Sequence, residues 1–139
     1  MQQWEYAITP FIAWFTAGVL KFAINSIRAR RFAFDLIGYG GMPSNHTTIV
    51  SSVVFLILIR EGLHDPTLGV ALAVLFIVML DAGSLRKQVG HHAAHLNKLG
   101  GTMAHRERVG HTLVEMLMGL VTGATVAMAV VLIIDKLAM

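Results

Sequence analysis

His111 and Glu115 stand four residues apart at the head of the last apolar run of the chain. On a helix that spacing puts both side chains on one face, within hydrogen-bonding reach. A carboxylate on one imidazole nitrogen sets the tautomer and leaves the other nitrogen free to attack an electrophile or accept a proton. The bland alternative is a buried pair that satisfies itself, or a histidine at headgroup level. A second candidate is Met42-Pro43-Ser44-Asn45-His46. If a helix starts at Pro43, the free N–H groups of its first turn and the Ser44 hydroxyl form an anion site, with His46 beside it as a proton donor; otherwise this is a capped helix start with an incidental histidine. Arg106 and Arg108 precede His111, and Arg86 and Lys87 follow Asp81. Guanidinium forks bind phosphate oxygens and stabilise the charge that spreads over them during transfer. Taken singly, each of these cations also serves to set topology or to meet lipid headgroups.

These residues need elements to bring them together, and the composition says what the elements are. Of 139 residues 55% are hydrophobic and 14% charged, and mean hydropathy is +0.67. That is too apolar for a soluble domain of this size, and the excess lies in a few long runs, as a bilayer demands. The expected fold is all-α, a single domain over 1–139 built as a polytopic membrane helix bundle of about four spans plus a short amphipathic helix. The first span is read from Tyr6 to Ile27, with Trp4, Tyr6 and Trp14 as an interfacial anchor. Only Glu5 is charged ahead of it, and no small-residue cleavage site clearly follows, so it reads as a membrane helix rather than a secretory signal. Lys21 interrupts this run and either snorkels to the headgroups or turns inward to meet an anion. Arg28, Arg30 and Arg31 follow, then a connection with Gly38, Gly40 and Gly41 that feeds a helix at Pro43.

The second span is read from Ser44 to Ile59. Asp65 and Pro66 cap and open a third, which ends near Leu80. A polar, histidine-bearing helix is expected from Ser84 to Leu99, with a break at Gly100 and Gly101. The last span runs from His111 to Ile134, and its Gly119 and Gly123 would let another helix approach closely. Four spans put Lys21 with the arginine cluster, His46, Asp81 to Lys87, and Arg106 to Glu115 on one face. The positive-inside rule places that face in the cytoplasm, in a bacterial-type inner (plasma) membrane. A net charge of +3 does not argue for nucleic acid, because the basic residues lie between apolar runs rather than on a soluble face. The absence of cysteine excludes disulfides, iron–sulfur clusters and thiolate zinc sites.

Three stretches together resemble a known family. Lys21 with Arg28 after six intervening residues, Pro43-Ser44-Asn45-His46, and His111 with an acid four residues on are similar to the three motifs of the type 2 phosphatidic acid phosphatase superfamily. Gly40 through His46, Asp81-Ala82-Gly83-Ser84-Leu85-Arg86-Lys87, and Gly110-His111-Thr112 through Glu115 more closely resemble its divergent branch, related to acid phosphatase and vanadium-dependent haloperoxidase. The resemblance covers nearly the whole chain. It implies a membrane lipid-phosphate or lipid-pyrophosphate phosphatase that works without metal or other cofactor through a phosphohistidine intermediate. His111 would be the nucleophile, Glu115 its orienting acid, and His46 the general acid for the leaving group. Lys21, Arg28 or Arg31, Ser44 and a basic group from Arg86 or Arg106 would cradle the phosphate, with Asp81 and Lys87 carried along from the second motif. His105 stands where the superfamily places an arginine, which leaves the choice of guanidinium open. The superfamily's usual six spans imply that a homodimer could complete a four-span fold.

Two other classes compete. A non-catalytic scaffold or lipid-phosphate-binding subunit would keep the anion site without turnover. A histidine-rich metal-binding protein would use His91 and His95, whose spacing suits helical ligands, with His92, His105 and His111 nearby in sequence; no carboxylate lies at a plausible ligand position within that segment.

Overall fold

Long apolar runs fold as helices, as the sequence leads one to expect, the first of them with Pro10 in its interior. The computed structural model describes residues 4–34, 41–100 and 104–139; Gly38, Gly40 and Gly101 of the connections read above lie outside them. The helices are α1 (Trp4–Ala29), α2 (Asn45–Arg60), α3 (Pro66–Leu80), α4 (Arg86–Lys98) and α5 (Leu113–Ala138). Among the described residues there is no strand. Among the described residues three helices are long and apolar enough to cross a bilayer: α1, the continuous rod Pro66–Lys98, and α5. The 16-residue α2 is shorter and sits centrally, packed against α1, α3 and α5.

The inward face of α2 explains its position. Thr47, Thr48, Ser51 and Ser52 are fully buried; the Thr47 hydroxyl donates to Ser44 Oγ, and those of Thr48, Ser51 and Ser52 donate to backbone carbonyls of Ser44, Thr48, Ile49 and, across the interface, Gly119. A Cβ on Gly119 would lie 2.9 Å from Ser44 O, and one on Gly123 would lie 2.0 Å from Ser51 Oγ. The two glycines therefore do what their spacing predicted: they let α2 and α5 close on each other through backbone and hydroxyls. Farther from the site the contacts become apolar, with Leu56 against Ala127 and Val131, and Val54 and Ile57 against Leu68 and Leu75.

Three boundaries differ from the sequence reading, each for a local reason. Helix α2 begins at Asn45 rather than Pro43, because Ser44 is extended and its hydroxyl accepts from Thr47 N as the N-cap. Helix α5 begins at Leu113 rather than His111, because Thr112 caps it and Glu115 completes a capping box. The third span does not stop at Leu80. No proline or cap intervenes, and the chain runs through a π-helical turn, Asp81–Leu85, directly into α4. The rod has 33 residues. At the helical rise of about 1.5 Å per residue it is roughly 50 Å long, well beyond a hydrocarbon core of about 30 Å. The excess is α4, whose cations and histidines suit it to stand past the headgroups.

Candidate functional site

The π turn is the first device that builds the site. In an α-helix, residues five apart point about 140° away from each other. The wider turn instead brings Asp81 and Arg86 together: Arg86 N–H reaches Asp81 O, and Arg86 Nε pairs with the Asp81 carboxylate. Asp81 thus aims the guanidinium, and the terminal nitrogens are the donors left to meet an anion. The same turn offers Ala82 O, which accepts from His111 N at 3.0 Å. Unusual π geometry of this kind often marks functional positions.

His111 lies just ahead of α5, not on it, yet it still reaches the acid. Its Nδ1 is 3.1 Å from Glu115 Oε2, an oxygen that also accepts from Thr112 N at 2.9 Å. One carboxylate therefore closes the helix cap and holds the imidazole. With Nδ1 carrying the proton toward Glu115, Nε2 keeps its lone pair. Burial pushes the imidazole below its ordinary titration range, Lys21 and Arg86 add to that, and Glu115 opposes it. The balance favours the neutral ring that a nucleophile requires.

Ser44 N donates to Glu115 O at 3.0 Å, joining the start of α2 to the start of α5. This brings His46, in the first turn of α2, within electrostatic reach of His111, Arg86, Lys21 and Asp81. Lys21 is buried and interacts with Glu115, so it turns inward rather than snorkelling to the headgroups. Five of the expected residues, namely Lys21, His46, Arg86, His111 and Glu115, thus gather at one end of the bundle, with Asp81 supporting Arg86. A cleft of about 350 Å³ opens beside His111 and Glu115, which line it with Lys87, Gly90, His91, Glu107 and Arg108 among others, whereas Lys21, His46 and Arg86 stand behind its lining.

Other expectations fare differently. Ser44 is fully buried, and its oxygen accepts from both Thr47 N and Thr47 Oγ1, so its role is that of a cap and it does not line the cleft. Arg28, Arg31 and Arg106 are exposed and do not line it either. Of the two arginines before His111, it is Arg108 that reaches the cleft. The segment from His105 to Gly110 runs back along α4, which the sequence reading missed. A Cβ on Gly90 would lie 2.2 Å from Glu107 O, and one on Gly110 would lie 2.9 Å from Lys87 N. Gly90 within a polar helical stretch was the available signal for a close backbone approach, as Thr112-x-x-Glu115 was for the capping box. Among the described residues no group of three or more His, Asp or Glu side chains is arranged to hold a metal ion; His91, His92 and His95 are exposed on α4.

Residues 3–126 match the family described as "Divergent PAP2 family". The chain is also 32% identical over 84 residues to the "Uncharacterized membrane protein YuiD" of Bacillus subtilis (strain 168). That match covers 60% of this chain and 53% of YuiD, so the chain spans about half the length of this relative. No solved structure matches the chain.

Proposed function

The chain belongs to the divergent PAP2 family, and from that premise we propose that this integral membrane protein is a phosphatase that removes phosphate from a lipid phosphate or lipid pyrophosphate through a phosphohistidine. The observation that carries the reading is His111 held through Nδ1 by Glu115, with Lys21, His46 and Arg86 gathered around it. His111 Nε2 attacks phosphorus, the bond to the leaving oxygen breaks, and that oxygen takes a proton from His46. His46, now neutral, takes a proton from water; the resulting hydroxide attacks phosphorus and the P–N bond breaks. Phosphate leaves with His111 neutral and His46 protonated again. Lys21 and Arg86, with Lys87 and Arg108 at the cleft, stabilise the spreading negative charge. Glu115 stabilises the developing positive charge on His111 while remaining ionised.

The bilayer argues for a lipid substrate, since the buried Lys21 lies within a membrane helix and would meet a phosphate at the headgroup boundary. The excess of arginine and lysine at this end supports a cytoplasmic orientation in a plasma membrane. The test is phosphate release from a panel of lipid phosphates by the purified protein in nanodiscs, with and without vanadate and chelator. Turnover blocked by vanadate, a mimic of five-coordinate phosphorus, and indifferent to chelator is expected. Binding of lipid phosphate without any release would instead indicate a lipid-phosphate-binding subunit, and turnover requiring added magnesium would refute the histidine mechanism.

A further inference from the structure

The last turns of α4 carry a side chain whose hydrogen bonds leave the helix. Asn97 Nδ2 donates to His105 O at 2.9 Å and to Glu107 Oε1 at 2.8 Å, while Asn97 Oδ1 accepts from His105 N at 2.8 Å. Pairing with both the N–H and the C=O of one residue sets the amide orientation, because turning it over would oppose donor to donor and acceptor to acceptor. Gly90 and Gly110 admit the same returning segment against α4 at two further points. Residues 104–110 form no helix or strand, and Asn97 fastens them to α4 through three hydrogen bonds. Arg108 rides in this segment and lines the cleft with Lys87 and His111.

We infer that Asn97 is a positioning residue for phosphate binding, acting through the returning segment to hold Arg108 at the cleft. The inference rests on the phosphatase reading above and extends it to a side chain outside the cleft. By occupying an oxygen of Glu107, Asn97 also engages a carboxylate that would otherwise compete with a substrate phosphate for the neighbouring Arg108. His111 is anchored separately, through Ala82 O and Glu115. Loss of Asn97 therefore weakens capture of the phosphate while sparing the nucleophile.

The experiment compares wild type with Asn97→Ala, Asn97→Asp and the double variant Asn97→Asp with Glu107→Gln, reading kcat and KM on a lipid phosphomonoester, affinity for inorganic phosphate, and amide hydrogen exchange. Asn97→Ala is expected to raise KM about tenfold, the scale of one charged hydrogen bond, and to leave kcat within about twofold. Exchange should quicken over residues 104–110 while α1, α2 and α5 keep their protection. Asn97→Asp loses both donated bonds and sets a carboxylate beside Glu107, so its KM should rise at least as far. In the double variant the amide introduced at position 107 donates to the carboxylate introduced at position 97, and most of that loss should be recovered. An unchanged KM in Asn97→Ala, a fall in kcat alone, or a double variant no better than Asn97→Asp would overturn the inference. A wild-type protein without turnover would instead sink the phosphatase reading. Phosphate affinity then decides the role of Asn97, and equal affinity in wild type and Asn97→Ala would reject it.

Discussion

The two ends of the bundle handle charge in opposite ways. At the end away from the cleft, Glu5 is 1% exposed and paired with Arg60 through Nε at 3.2 Å and Nη2 at 3.0 Å. Arg60 Nη1 lies 2.8 Å from Asp135, and Tyr6 donates to Glu61 at 2.7 Å. One guanidinium there joins α1, α2 and α5, with its donors directed to carboxylates. At the cleft end, Lys21 and Arg86 stand near His46 and His111, Lys87 and Arg108 line the cleft with His111, and the acids there, Asp81, Glu107 and Glu115, each bond to a particular group. The first end holds helices together, whereas the second, in the proposed function, keeps positive charge for an anion. In a membrane helix an ionisable side chain invites a functional reading by default, yet here buried Glu5 is paired with Arg60, while buried Lys21 faces Glu115 and is the one the proposed function uses. Partner geometry separates them, not burial.

The largest effect that would test this contrast comes from His111→Ala. Removing the proposed nucleophile should lower kcat by at least on the order of 10⁴, while thermal unfolding stays near that of wild type, since the 82–111 bond is made by backbone. Loss of stability in step with activity would mean that His111 is a packing residue. Arg86→Ala should cost about 10² to 10³ in kcat/KM, the scale of a lost charge-stabilising donor; Asp81→Asn, which only loosens its aim, should cost less.

The far end predicts the reverse pattern. Arg60→Ala leaves Glu5 buried without its partner, which should destabilise the fold by about 3 kcal/mol. Affinity of the folded protein for inorganic phosphate, read by calorimetry below the unfolding transition, should not change. A drop in phosphate affinity would show that the two ends are coupled.

The smallest effect is in the pH profile. His111 acts as the neutral ring, and its pKa is held below the ordinary 6.5 chiefly by burial. Activity should thus persist below pH 6.5 and fall only as pH drops through the lowered value. Glu115→Gln removes the group that favours the charged ring, so the acidic limb should move to still lower pH in whatever activity survives. A limb that moved upward would contradict the assigned contact.

Much was legible in the residues themselves. Apolar runs of about twenty residues specify spanning helices because a bilayer leaves their backbone no other partners, and Gly119 with Gly123 marked the face where α2 closes on α5. His111 with Glu115 could be read as a pair from spacing alone, although the residues meet across a helix cap rather than along a helix. Which cations serve the cleft could not be read in this way. Arg106 and Arg108 are two positions apart in an irregular segment, and it is the path of that segment along α4, against Gly90 and Asn97, that shows Arg108 lining the cleft. Likewise Lys21 could have snorkelled until the packing of α1 against the bundle turned it toward Glu115. The chain's own pattern determined a membrane bundle with histidine and cationic chemistry at one end, because periodicity and hydropathy act locally. The partner of each charge was decided by tertiary structure, because a π turn and a returning segment set distances that spacing along the chain does not encode.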